Sequence, residues 1–302
     1  MGQKKKNSMF LLLIALLILA AAYAALQLWN KSQEKKQQAK EKAEQVYVTD
    51  MDEIINIRYD VGNGPMEFKK EEDTWYVTAD PDFPLAQTYP EQMAEEFAHL
   101  KADRELKDGD SLEDYGLKDP VYTVVLTDAK GEETTLYYGN STGDSYYVTA
   151  GDTGSVYTVS NNSISDLQYS LEDMAQLDTF PTIGNGNLKK ETITKGGQTT
   201  VYDAENDDDA ENIAAVTGGL GAVTLEKAAD YSVEDKDLAG YGLDEGSRTT
   251  AEVIYTSDDK EKTLKLYFGN TDSEGNRYVM MNDSRIVYLI SEAVCKNILN
   301  EG

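Results

Sequence analysis

Cysteine and histidine each occur once in this chain, as Cys295 and His99. One cysteine forms no intramolecular disulfide and no cysteine-built zinc site. One histidine excludes metal centres assembled from histidine clusters. A Ser-His-Asp arrangement would have to run through His99, and no G-x-S-x-G elbow supplies its nucleophile. Positive charge is also scarce. Residues 1–45 hold 8 lysines and 3 acidic residues, which leaves 20 Lys+Arg against 52 Asp+Glu in the remainder, a net charge of −32. A field of that sign repels phosphate backbones and argues against nucleic acid as a partner. Gly184-Asn185-Gly186 and Gly218-Gly219-Leu220-Gly221 match neither G-x-G-x-x-G nor G-x-x-x-x-G-K-S/T. The acidic run Asp203 to Asp209 fails the EF-hand pattern, with Asp208 where glycine belongs and Ala214 where the final glutamate belongs. It reads as a solvated loop. No catalytic, cofactor-binding or metal-ligating residue is assigned.

What is present begins with a membrane signal. Lys4-Lys5-Lys6 precedes an uncharged run from Met9 to Leu28, which as a helix spans ~30 Å, the thickness of a hydrocarbon core. Trp29 sits where an interfacial aromatic belongs. The alternative is a cleaved signal peptide, for which Ala20-Ala21-Ala22-Tyr23-Ala24 offers small residues, but the run is longer than a signal h-region. The reading is therefore a basic tail at 1–8, a membrane anchor at 9–29 contacting the lipid bilayer, and a polar stalk at 30–45. Lysines flank the run on both sides, so a count of positive residues leaves orientation open. The order of a basic start, an apolar run and a long chain places the large C-terminal part outside the cytoplasm.

Behind the stalk the chain repeats itself. Leu112-Glu113-Asp114-Tyr115-Gly116-Leu117 recurs as Leu238-Ala239-Gly240-Tyr241-Gly242-Leu243. Each copy precedes a strand-like run, then a Gly-Asn hairpin signal (Gly139-Asn140 and Gly269-Asn270), then Tyr147-Val148 or Tyr278-Val279. A left-handed glycine just past a short helical turn explains the repeated motif. Gly116 and Gly242 then occupy the cap position, and Leu112 with Leu117, or Leu238 with Leu243, the two positions that touch in a Schellman cap. In the first copy, strands are expected near 54–59, 66–69, 75–77, 121–127, 133–138, 145–149 and 156–160. A helix opened by Pro90 presents Met93, Phe97 and Leu100, with His99 on its surface, and a second spans 162–176 with Ile164, Leu167, Leu171 and Met174 on one stripe. The second copy predicts strands near 188–194, 199–203, 250–256, 262–268, 277–281 and 286–290, with helices near 209–217 and 291–300. Cys295 shares a helix face with Val294, Ile298 and Leu299, as a buried structural thiol does. Strand runs broken by few helices give an α+β class with antiparallel sheets. The two tandem units are placed at 46–178 and 179–302.

The order of anchor, tandem units and Leu112-x-x-Tyr115-Gly116-Leu117-x-x-Pro120 resembles the bacterial domain-of-unknown-function family 4340. The likeness covers most of residues 46–300, although the second copy has Gly246 where the proline would stand. That family has no assigned activity and no catalytic residues to carry over. Its members often accompany ABC-type export systems related to gliding-motility auxiliary proteins, which implies an accessory role at a membrane complex. The expectation is a non-enzymatic, membrane-anchored, extracytoplasmic binding module with a protein partner. The alternatives are an envelope hydrolase using two carboxylates and a secreted binding protein.

Overall fold

In the computed structural model the described residues are Tyr23, Leu26, Gln27, Trp29, Asn30, Lys31 and Gln33, and then 45–62, 64–107, 111–151 and 154–301. The basic tail, most of the apolar run and most of the stalk lie outside them. Among the described residues no helix is long and apolar enough to cross a membrane. The rest folds around two antiparallel sheets, one of eight strands and one of seven, an α+β arrangement used twice; the part built on the first sheet is called the first unit and that on the second sheet the second.

The first sheet starts with β1 (Ile54–Asp60), β2 (Pro65–Glu71) and β3 (Thr74–Val77). Glu72 and Asp73 make the β2–β3 turn with φ of 48° and 69°, the left-handed pair that a tight hairpin requires. Helix α1 (Thr88–Ala98) follows, then the short β4 (Arg104–Leu106). A meander completes the sheet: β5 (Tyr122–Asp128), β6 (Glu133–Thr142), β7 (Ser145–Ala150) and β8 (Val156–Ser160). The strand order is β3-β2-β1-β5-β6-β7-β8-β4. Helix α1 starts two residues before Pro90, which sits in the first turn, where its missing N–H costs nothing. It ends at Ala98, so His99 stands just past the helix rather than on it, exposed and 3.2 Å from Asp50.

The second unit repeats the plan. A hairpin of β9 (Leu188–Lys195) and β10 (Gln198–Asp203) leads into α2 (Ala210–Gly221) and the short β11 (Ala228–Asp230). The four-residue α3 (Leu238–Tyr241) then feeds β12 (Thr249–Ser257), β13 (Lys260–Thr271), β14 (Asn276–Met281) and β15 (Val287–Ser291), and α4 (Glu292–Leu299) closes the unit. The strand order is β10-β9-β12-β13-β14-β15-β11. Since β9 and β1 each neighbour the first meander strand, β10 corresponds to β2. The first sheet therefore has one strand more, β3, outside that position.

Three expectations need correction. The helix expected over 162–176 is absent. In its place stand three single 3₁₀ turns, Asn161–Ile164, Asp166–Gln168 and Glu172–Met174. Serines divert the backbone there: Ser160 accepts from the Asn162 N–H, the Ser165 hydroxyl donates to the Asn162 carbonyl, and Ser170 is bonded to Asp173. Such local bonds compete with a continuous helix. The apolar stripe survives in part, because Ile164, Leu167 and Met174 are still buried. Second, the helix expected to end at 217 runs on through Gly218 and Gly219. A Cβ on Gly219 would lie 2.7 Å from Ile298 Cγ1 and 2.8 Å from the Ile298 backbone nitrogen. Glycine is what lets α2 and α4 approach, and their Val216, Leu220, Cys295 and Ile298 join Leu264, Leu266, Phe268 and Tyr288 in one core. Each such fully buried aliphatic or aromatic side chain contributes about 1.5–3 kcal/mol.

The third correction concerns Gly139-Asn140 and Gly269-Asn270. They form no hairpin turn. Both lie within long strands, β6 and β13, where the pairing register shifts between Tyr138 and Ser141 and between Phe268 and Thr271. They are β-bulges, and their partner in each unit is the repeated Tyr-Gly-Leu turn.

Candidate functional site

The repeated residues come together as one device in each unit. Gly116 (φ 72°) and Gly242 (φ 68°) take the left-handed conformation. The Leu117 N–H donates to the Leu112 carbonyl at 2.8 Å and the Gly116 N–H to that of Glu113 at 3.0 Å. In the second unit the Leu243 N–H donates to Leu238 at 2.9 Å and the Gly242 N–H to Ala239 at 3.1 Å. This is the paired bonding of a Schellman cap. The turn then seats on the bulge. A Cβ on Gly139 would stand 2.2 Å from the Tyr115 carbonyl oxygen, and one on Gly269 would stand 2.1 Å from that of Tyr241. The Asn140 N–H donates to the same Tyr115 oxygen at 2.8 Å. From the other side, a Cβ on Gly116 or Gly242 would come within 2.6 Å of the Asn140 or Asn270 side chain. Two glycines per unit thus permit one backbone to lie against another. The bulge pairing went unread although a signal existed: glycine in the middle of a continuing strand pattern marks a bulge or a close backbone approach.

The leucines and tyrosines differ between the copies. Tyr115 and Leu117 are buried with Val156, beside Leu106, Tyr137 and Tyr147, and the Tyr115 and Tyr147 rings lie 4.6 Å apart. Leu112 is 40% exposed. In the second unit Leu243 is buried with Val233, Met280 and Val287, and Leu238 and Tyr241 pack on them. The Tyr241 hydroxyl donates to Asp230 at 3.1 Å. Burial, and then that carboxylate, push its pKa up to about 12. Every repeated residue thus has a bond or packing within its own copy, Leu112 through its carbonyl.

Outside the motif, two carboxylates hold their protons more tightly than usual. Glu191, on β9, is fully buried. Neither of its oxygens has a hydrogen-bond partner among the described residues. Burial alone pushes its pKa up to about 8. It is sealed from any substrate. Glu96, on α1, is raised first by desolvation and then by Asp166 and Glu95. Near it the buried Tyr138 hydroxyl lies 3.4 Å from the Ser163 hydroxyl. Glu96 is exposed, so this proton-retaining carboxyl meets solvent.

The remaining signals resolve into local structure. In the 203–209 loop, the Asp209 carboxylate accepts from the Asp203 N–H and the Asn206 amide, each at 3.0 Å. Among the described residues no group of three or more His, Cys, Asp or Glu is arranged to hold a metal ion. The Cys295 thiol is buried, and desolvation pushes its pKa up to about 12, which keeps it an unreactive thiol. An open recess of about 290 Å³ is lined by Lys69, Glu71, Tyr76, Val77, Thr78 and Pro81. Its two charged groups pair with each other at 2.7 Å.

The family described as a domain of unknown function (DUF4340) matches the chain twice, over residues 75–217 and 207–301. The chain belongs to this family. The matches do not coincide with the two copies: one runs from β3 across the β9–β10 hairpin into α2, and the other from just before α2 through α4. No curated protein and no solved structure matches the chain. The family's description assigns no chemistry.

Proposed function

We propose that this chain is a non-enzymatic accessory module, anchored in the membrane through residues 9–29. Its two sheet units stand outside the cytoplasm and dock onto a partner within an ABC-type transporter or another envelope assembly. What carries this reading is the uncharged run Met9 to Leu28 behind Lys4-Lys5-Lys6, set ahead of two copies of one DUF4340 unit. The repeated residues support it, since all eight are engaged in capping a turn, in holding it on a bulge or in packing. The strongly acidic surface suits charge-steered docking to a basic partner face. A rival reading, a carboxylate-dependent hydrolase, rests on Glu96 beside Asp166.

The test fractionates cells producing the full chain. The protein is expected to stay with membranes through high-salt and carbonate washes, and its C-terminal units to be open to external protease. Crosslinking in native membranes is expected to recover a membrane-complex protein. A mature N-terminus near Ala25, read by mass spectrometry, would make it a secreted protein. Hydrolytic turnover lost in Glu96→Gln would establish the rival.

A further inference from the structure

We infer that β10 is a pairing edge, and that its occupant is β10 of a second copy of this chain, forming one continuous antiparallel sheet across a two-fold axis. The four sheet edges are β3, β4, β10 and β11. A protein that stays monomeric blunts its edges with short strands, charges, bulges or a cover, and three of these four are blunted. On β3 the outward Trp75 N–H donates to Gln87 Oε1 at 2.7 Å, the Gln87 amide donates to the Trp75 carbonyl at 3.0 Å, and Val77 bridges back to Asp80. Strand β4 has three residues, two of them Arg104 and Glu105. Strand β11 has three residues and a register shift. Strand β10 alone runs six residues in unbroken register. Its first five, Gln198-Thr199-Thr200-Val201-Tyr202, carry no charge in a chain with 55 acidic residues. Val201 is 48% exposed. In the first sheet the corresponding strand, β2, is covered by β3, so the fold already fills this position once with an antiparallel strand.

Gly196 and Gly197, with φ of 57° and 79°, close a two-residue hairpin whose Lys195–Gln198 pair is hydrogen-bonded. Bonded and non-bonded pairs alternate from there, so residues 198, 200 and 202 face β9, and 199, 201 and 203 face out. Two bonds agree with this. The Ala204 N–H donates inward to the Lys189 carbonyl at 2.9 Å, and the Asp203 N–H turns outward to the Asp209 carboxylate. Thr199 and Val201 are left with both N–H and C=O facing outward, without partners in the described chain.

That edge is complementary to itself. With two copies antiparallel and Thr200 opposite Thr200, Thr199 of each copy faces Val201 of the other. The outward groups then meet in about four backbone hydrogen bonds. Gln198 stands opposite Tyr202, and Asp203 opposite Gly197, next to Lys195. No like charges face each other across the ladder, which is what a stable cross-strand register requires. A ladder this short supports a weak dimer. Because each copy carries a net charge of −27, added salt should strengthen it by screening the mutual repulsion.

The experiment is analytical ultracentrifugation of the full-length chain in mild detergent, beside mild oxidation of Thr200→Cys. The expected result is a monomer–dimer equilibrium that tightens with salt and a disulfide-linked dimer in Thr200→Cys. Wild type, whose one cysteine is buried, should not crosslink. Val201→Pro removes an outward N–H that β9 does not use and should weaken association about tenfold or more. If its melting temperature falls, Val201→Lys carries the same test through charge repulsion. A strictly monomeric wild type, no crosslink in Thr200→Cys, or a dimer undiminished by both substitutions would overturn the inference. So would a Thr200→Cys disulfide formed only with a different protein.

Discussion

Replacing Glu191 with glutamine should flatten the pH dependence of the second unit. Glu191 sits on β9 between Tyr202 of β10 and Val253 of β12, and its carboxyl is buried without a partner among the described residues. Burial raises its folded-state pKa from 4.5 to about 8. Below pH 4.5 the carboxyl is protonated in both the folded and unfolded states, and the site imposes no pH slope. Between 4.5 and 8 the unfolded chain has released the proton while the folded chain keeps it, so folding stability falls by about 1.36 kcal/mol per pH unit. The accumulated loss is about 3 kcal/mol at pH 7 and about 5 kcal/mol above pH 8. Glu191→Gln keeps the shape and the unpartnered polar atoms but has no proton to lose. The two proteins should therefore be equally stable near pH 4.5 and diverge by those amounts as the pH rises, with the variant the more stable. The assay is urea unfolding of both proteins across this range, with the second unit followed through the protection of its β9 and β12 peptides at one fixed labelling pH. The many surface acids contribute equally to both curves, so the difference isolates position 191. Parallel curves from acid to alkaline pH would refute the reasoning and would mean that water or a rearranged side chain solvates the carboxylate.

Two further outcomes follow from the packing. Gly269→Ala should destabilise the second unit by about 3 kcal/mol, because its Cβ would meet the Tyr241 carbonyl oxygen, a backbone atom that cannot turn aside. Gly242→Ala should cost only about 1–2 kcal/mol, the left-handed penalty, since what it meets is the movable Asn270 side chain; calorimetry of both variants checks the order. Arg277→Met should cost about 2 kcal/mol, because Arg277 holds Glu292 through two bonds of 2.9 Å and leans on Glu301 at 3.4 Å. Adding Glu292→Gln to Arg277→Met should restore part of that loss, and unchanged urea midpoints in the single variant would show the ion pairs to be idle.

What could be read without coordinates was whatever a few consecutive residues decide. The Tyr-Gly-Leu cap closes within six residues, and the alternation in β5, β6, β12 and β13 is local, so both were legible. The Gly-Asn bulges were not, because the same dipeptide makes a hairpin turn or a bulge depending on what lies across from it. Here that is the Tyr115 or Tyr241 carbonyl, more than twenty residues away. Residues 162–176 carry a helical stripe whose spacing is real, yet Ser160, Ser165 and Ser170 hold the backbone in separate turns. Glu191 sits in Lys190-Glu191-Thr192, which by itself reads as solvent-facing. Only the position of β9 inside the sheet, between β10 and β12, makes it buried.

The repeat itself narrows where function can lie. Residues shared by both copies are engaged in capping, docking and packing within each unit, so their recurrence reports a common fold rather than a common ligand. A duplicated unit acquires separate roles where its copies diverge, and here the divergence is specific. The first copy adds β3 and closes its edge with Gln87, while the second leaves β10 bare. The first carries Glu96 beside Asp166 at the surface, while the second buries Glu191 alone. If docking and catalysis are both considered for this chain, the divergent edge and the divergent carboxylates are the places to look, and substitutions there should alter function without lowering stability. Substitutions at Gly139, Gly269, Gly116 or Gly242 should do the reverse, and a loss of function in those variants would have to be read first as a loss of folded protein.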